Sequence, residues 1–288
     1  MANWLQRLEA RWMRRYSGPP VPLAADAGRR PVAVITGASE GIGRALAMEF
    51  AARGHAVMLI ARNLAMLEQV AAELRRETGT EVHVAAIDLS APDAAARLDA
   101  ALTSAGLYVD YLVNNAGFGL SGAFAEQDPG VLMQLVGVNI CILTELTRRY
   151  LPDMLARARG GVLNIASLGG LLPGPYLAAY YASKAYVVSL TEAIAYENAG
   201  RGVRICAAMP GPVATRFHDK MGTGNANYLK LQSVVNPEHA ARVIYSGFMG
   251  RRTLIAPGIL ATFNLEAVRF IPHFMLVPFI GWFLKQRS

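Results

Sequence analysis

From Pro31 onward, short apolar runs alternate with longer stretches whose alanines, leucines and charged residues recur at helical spacing. The runs are VAVIT (32–36), AVMLIA (56–61), EVHVAAI (81–87), DYLVN (110–114), GVLNIAS (161–167), VRICAAM (203–209) and TLIA (253–256). Most are nearly continuous in apolar residues, as strands covered on both faces must be. Between them lie segments of helix length, such as GRALAMEFAARG and LAMLEQVAAELRRETG. Strand–helix alternation repeated this often needs right-handed crossovers and a parallel sheet between two helical layers. The pattern therefore predicts an α/β fold over 31–258: one doubly wound domain on a seven-stranded parallel sheet, helices on both faces. Residues 1–30 read as a basic leader and linker, and 259–288 as an apolar extension.

In such sheets ligands bind beyond the carboxyl ends of the strands. The first loop there is TGASEGIG (36–43), which leaves a strand and opens a helix. Gly37, Gly41 and Gly43 permit a tight turn and close approach of backbone to a pyrophosphate, which the helix N-terminus attracts; Ser39, Glu40 and Ile42 complete the loop. The spacing is GxxxGxG rather than the commoner GxGxxG, but its place after the first strand predicts a Rossmann-type dinucleotide site. The second strand ends LIARN, with Ala61 and Arg62 where a carboxylate would hold a ribose 2′-hydroxyl. A guanidinium at Arg62 can pair bidentately with a 2′-phosphate, so NADP is expected over NAD. Glu40 lends a phosphate no support, and a merely solvated Arg62 is the alternative.

The stretch YYASKAY (180–186) sets three tyrosines around one lysine. Tyr180 and Lys184 stand at i and i+4, on one helix face. A nearby ammonium favours the phenolate, which makes Tyr180 a general acid for a carbonyl oxygen receiving hydride, or a base in reverse. Ser167, at the end of the fifth run, can donate a hydrogen bond to the same oxygen.

Taken together, TGASEGIG, NNAG (114–117), Asn139, Ser167 and YYASK (180–184) resemble the short-chain dehydrogenase/reductase family over roughly 31–258. Ser167 precedes Tyr180 by thirteen residues and Tyr180 precedes Lys184 by four, both intervals the family displays. Only Tyr180 meets both, leaving Tyr181 and Tyr186 to packing or a substrate wall. The resemblance implies a catalytic set of Asn139, Ser167, Tyr180 and Lys184, with Tyr180 and Lys184 also touching the cofactor. Lys184 would hold the nicotinamide ribose and Asn139 a water linking Lys184 to solvent. Asn115 would line the cleft, Asp88 and Leu89 would meet the adenine end, and Val213 and Thr215 of PGPVAT would embrace the nicotinamide. Singly, Asn139 could cap a helix bend, Asp88 the next helix, and Pro210 with Gly211 could end a strand. The implied activity is NADP(H)-dependent interconversion of a ketone or aldehyde with an alcohol, in a homodimer or homotetramer. A non-catalytic NADP-binding scaffold, regulatory or membrane-associated, is the other class.

The ends and the charge refine this picture. The formal charge is +7, yet 1–30 alone holds six arginines against two acids, so the body carries little sign of nucleic-acid binding. WLQRLEARWMRRY in the leader lacks a secretory core and reads as a basic amphipathic helix, for a membrane surface or for packing on its own domain or a partner. Residues 216–236 read as a lid. FIPHFMLVPFIGWFL (270–284) is too short to span a bilayer and is broken by Pro272 and Pro278. It can cover the substrate cleft, join subunits, or touch a membrane; a cover so apolar would suit a lipid, steroid or aromatic carbonyl. Cys141 and Cys206 are expected as reduced core residues of a cytoplasmic protein, peripherally membrane-associated if 1–16 and 270–284 make that contact. The five histidines form no ligand spacing, and no metal is expected.

Overall fold

The structure, a computed structural model, describes residues 23–223, 234–257 and 273–284. The amphipathic helix expected over 1–16, the middle of the 216–236 lid and the first part of the 259–288 extension lie outside these residues.

All seven expected strands form. They are β1 (Arg30–Thr36), β2 (Val57–Ala61), β3 (Val82–Ala86), β4 (Leu107–Asn114), β5 (Gly161–Ile165), β6 (Arg204–Ala208) and β7 (Leu254–Ile255). They make one parallel sheet in the order β3-β2-β1-β4-β5-β6-β7. The order reverses between β1 and β4, and a crevice opens there beyond the strand ends. The helices are α1 (Gly41–Ala51), α2 (Leu64–Thr78), α3 (Ala94–Ser104), α4 (Pro129–Val136), α5 (Ile142–Arg157), α6 (Ala178–Glu197), α7 (Phe217–Lys220), α8 (Pro237–Met249) and α9 (His273–Leu284).

The sheet is buried from both sides, which explains its unbroken apolar strands. One face packs Ile35, Leu59 and Tyr111 against Phe50 and Phe248 from α1 and α8. The other packs Val34, Leu112 and Val162 against Leu98, Leu146 and Met154 from α3 and α5. Each such large side chain contributes about 1.5–3 kcal/mol on leaving water. A chain of polar side chains crosses this layer. Asn114 Nδ2 donates to Thr147 Oγ1 at 3.0 Å and to Asn164 Oδ1 at 2.9 Å, and Asn164 Nδ2 donates to Thr191 Oγ1 at 2.9 Å. That chain links α5, β4, β5 and α6 in an interior where an unpaired amide would be costly.

Three features depart from the expectations. Between α4 and α5 the chain makes a π-helical turn, Gly137–Cys141, which breaks the regular hydrogen-bond ladder around Asn139. That turn points Cys141 outward, so it is an exposed thiol and not a core residue, whereas Cys206 is buried. The linker also docks before β1 begins: Asp26 accepts from Arg157 Nη1 at 3.0 Å, pairing a guanidinium that is otherwise buried. Finally, α9 runs through Pro278 without ending; the proline forfeits one backbone hydrogen bond, and Pro278 lies on the exposed side of the helix. Leu276, Ile280 and Leu284 on its inner face join Leu135, Leu177 and Met221 in a separate apolar cluster. Phe274, Met275, Phe279 and Trp282 on the outer face are exposed.

Candidate active site

The crevice beyond β1 and β4 is a cavity of about 680 Å³ that reaches from the end of β2 to the inner face of α9. Its floor is the glycine turn. Gly41 adopts φ +57, in the left-handed region that favours glycine. At Gly43 a side chain could not fit, because its Cβ would fall 2.2 Å from the Gly37 carbonyl oxygen. Gly43 therefore does not face the cavity but lets the first turn of α1 close onto the loop, aiming backbone N–H groups at the crevice.

The NNAG segment braces that turn. Thr36 Oγ1 donates to the Val113 carbonyl at 3.2 Å and accepts from the amides of Asn115 (2.9 Å) and Ala116 (3.0 Å). Asn115 Nδ2 donates in turn to the carbonyls of Thr36 (2.9 Å) and Gly37 (3.1 Å). Asn115 thus lines the cleft as expected, while its amide acts as a strut beneath the loop.

Ser39, Glu40, Gly41, Ile42, Arg62, Asp88, Leu89, Val213 and Thr215 all line the same cavity. Arg62 is exposed at its far end, and its charge helps to lower the Asp88 pKa, though the Ser90 backbone and hydroxyl donors contribute more. Those Ser90 bonds, 3.0 Å from its N–H and 2.8 Å from Oγ, make Asp88 the organiser of a turn rather than a helix cap; Asp93 occupies the position before α3. Val213 bridges to Val235, with Ala214 N–H donating to the Val235 carbonyl at 2.9 Å, so PGPVAT forms a held loop.

On the wall opposite the glycine turn stand Ser167, Tyr180 and Lys184. Ser167 lies two residues beyond β5, at the start of the turn Leu168–Leu171; its Oγ accepts from Gly169 N–H at 3.1 Å, leaving its own proton to donate into the cavity. Lys184 Nζ lies 5.8 Å from the centre of the Tyr180 ring and donates to the Ile165 carbonyl at 2.8 Å. Burial brings the Lys184 pKa down to about 8, because an ammonium out of water loses its hydration.

Asn139 does not reach the cavity. Buried behind the wall, it donates through Nδ2 to the Phe118 carbonyl at 2.9 Å and to Ser183 Oγ at 3.0 Å, and accepts at Oδ1 from Phe118 N–H at 3.1 Å. Its side chain ties the π turn to α6 and to the loop after β4. A Cβ on Gly117 would lie 3.0 Å from Asn139 Oδ1 and 3.4 Å from Lys184 Nζ, so the bare glycine leaves room for both groups beside the loop.

The remaining wall is apolar. Phe118, Leu172, Leu177, Met221, Ile280 and Phe283 close the cavity beyond Tyr180, joined by Tyr181, while Tyr186 lies outside with its hydroxyl 3.0 Å from that of Thr144. The sequence signal for the roof was the uncharged run 270–284, whose inner face covers the cleft. His218 also lines the cavity, and burial holds its pKa below the ordinary range.

A glycine turn at a helix N-terminus, an exposed guanidinium at the far end and a long apolar-walled cleft fit a dinucleotide with room for a second molecule. The comparisons agree with that geometry. The family model described as short chain dehydrogenase matches residues 31–226. Very-long-chain 3-oxoacyl-CoA reductase of Anas platyrhynchos is 38% identical over 192 residues, 64% of this chain and 60% of that protein. The match thus spans under two thirds of that relative's length. A short-chain dehydrogenase from Sphingobium yanoikuyae, in complex with NADPH, superposes with TM-score 0.75 at 30% identity, covering 83% of this chain and 92% of that one. A 3-ketoacyl-(acyl-carrier-protein) reductase from Brucella melitensis, complexed with NADH, superposes with TM-score 0.67 at 32% identity, covering 76% and 91%. With its seven-stranded parallel sheet, its serine–tyrosine–lysine wall and a family match over most of the domain, this chain belongs to the short-chain dehydrogenase family of oxidoreductases.

Proposed function

We propose that the protein is an NADP(H)-dependent reductase of a ketone carried on a long apolar chain, with 3-oxoacyl thioesters the first class to test. The observation that carries this reading is the junction of two surfaces: Ser167, Tyr180 and Lys184 stand where the dinucleotide cradle meets the apolar pocket under α9. Arg62 at the end of β2, exposed and without an acid in its place, supports NADP. When bound, the nicotinamide supplies the hydride.

The chain's own residues do the rest. Ser167 donates a hydrogen bond to the substrate carbonyl oxygen and fixes its direction. Tyr180 delivers the proton to that oxygen as negative charge develops on it. The Lys184 ammonium, held by the Ile165 carbonyl, stabilises the phenolate that remains. Asn139 holds the π turn and the loop after β4 in place, so a proton relay from Lys184 to solvent would run past its main chain, since its side chain is engaged on three sides. The apolar roof excludes water and binds the chain of the substrate. Where the substrate is a lipid, the exposed outer face of α9 suits delivery from a membrane surface, and Lys285 and Arg287, next in sequence, favour an anionic one.

Steady-state oxidation of NADPH and NADH against carbonyls of graded length and polarity tests this reading. Long 3-oxoacyl thioesters with NADPH should give the highest kcat/KM, and Tyr180→Phe should retain NADPH binding while losing nearly all turnover. Parental turnover in that variant, or a preference for small polar ketoses, would refute the assignment.

A further inference from the structure

The glycine turn holds an acid whose partners lie far along the chain. Glu40 occupies the position before α1 with extended backbone, where a carboxylate would ordinarily accept from the first N–H groups of the helix. It makes no such bond. Its Oε2 instead accepts from Arg216 Nε at 3.0 Å and Nη2 at 2.5 Å, and its Oε1 accepts from Lys220 Nζ. The first turn of α1 is therefore left without an internal anion, and the carboxylate faces α7 across the cleft. The backbone follows the same path: a Cβ on Gly41 would lie 3.1 Å from Thr215 Cγ2, so the segment leading into α7 rests on the glycine turn. Glu40, Arg216 and Lys220 all line the cavity, and the contact joins its floor to its outer rim.

Resting on the dinucleotide reading above, we infer that Glu40 is a latch: with Arg216 and Lys220 it clasps the segment 215–220 over the glycine turn, and this clasp must open for the cofactor to enter or leave. The two cations also resolve an electrostatic conflict. A lone carboxylate in a pyrophosphate turn would repel the ligand; paired with an arginine and a lysine, it leaves the cluster with one net positive charge. Glu40 is in this role a positioning residue, acting on the nucleotide through the segment that it holds.

For Glu40→Gln the clasp and plain electrostatics predict opposite signs, which makes that variant the deciding one. Removing a negative charge near bound phosphates, with nothing else changed, would slow nucleotide release. Opening a latch speeds it. The experiment is displacement stopped-flow on the NADPH fluorescence of the full chain, comparing the parent with Glu40→Gln and with the double variant Arg216→Gln/Lys220→Gln. The release rate should rise about fivefold in Glu40→Gln, the scale set by two partly exposed ion pairs acting together, and further in the double variant, which also loses two cations near the phosphates. Glu40→Gln placed on the double variant should bring no further speeding, because the same contact is already gone. Raising the salt concentration should speed release from the parent more than from Glu40→Gln. A release rate in Glu40→Gln that is unchanged or slower, with NADPH still bound by the parent, overturns the latch alone. A parent that binds neither NADPH nor NADH overturns the cofactor reading and the latch with it.

Discussion

Replacing Lys184 by methionine should stabilise the fold while destroying the chemistry. Lys184 is buried, with its pKa drawn from 10.5 to about 8 by loss of hydration. A fall of that size corresponds to roughly 3 kcal/mol of destabilisation while the group is charged in both folded and unfolded chains. Methionine keeps the length of the stem and needs no hydration. It also abandons the bond to the Ile165 carbonyl, which returns about 1 kcal/mol. At pH 7 the nucleotide-free variant should therefore be more stable than the parent by about 2 kcal/mol. Between the folded value near 8 and the unfolded value near 10.5, the unfolded chain binds the extra proton, so parental stability rises with pH. The advantage of the variant must shrink over that interval and vanish above it. Urea unfolding of both proteins at pH 7 and pH 10 measures the gap, and turnover of NADPH reports the lost activity. A variant less stable at pH 7, or a gap unchanged at pH 10, would refute the claim that burial of the ammonium is what perturbs this lysine. The same titration bears on the pH profile: kcat/KM for carbonyl reduction should fall as pH rises through about 8, where the ammonium beside Tyr180 discharges.

Two further outcomes follow from other parts of the cavity. Arg62→Ala should raise the KM for NADPH about tenfold and leave that for NADH nearly unchanged, since an exposed guanidinium on a phosphate is worth roughly 1.4 kcal/mol; equal effects on both nucleotides would remove Arg62 from the 2′ end. The full chain should float with vesicles containing anionic lipid more than with neutral ones, and Trp282→Glu should weaken that flotation severalfold, as a charge on the outer face of α9 would oppose burial among acyl chains.

How much of this was readable beforehand depends on the reach of each interaction. The strands and the glycine turn were legible because their signals are local: a run of apolar residues, or a glycine spacing next to a strand. Ser167, Tyr180 and Lys184 were legible by intervals along the chain, and all three come to one wall. What escaped depends on encounters between distant segments. Nothing in TGASEGIG announces that Glu40 meets Arg216 and Lys220, residues separated from it by 176 and 180 positions. Nothing in the uncharged tail states which of its faces turns inward; the alternation of Leu276, Ile280 and Leu284 with exposed aromatics becomes meaningful only against the cleft that they cover. The π turn around Asn139, and the bonds its side chain makes to Phe118 and Ser183, were not legible, because such a turn leaves no periodic trace.

The chain of amides and hydroxyls through the sheet has a consequence for catalytic precision. Asn164 is held between Asn114 and Thr191, and Thr191 lies on α6, the helix that carries Tyr180. If α6 slid along the sheet by one residue, Tyr180 would move by about 1.5 Å, and the buried Asn164 would lose its acceptor. That loss amounts to roughly 1–3 kcal/mol, so the slide is populated only rarely. Purely apolar contacts would tolerate such a displacement far more easily. The polar thread therefore indexes the helix to the strands like a notch on a rule, and the position of the Tyr180 hydroxyl is set by a bond three helical turns away from it.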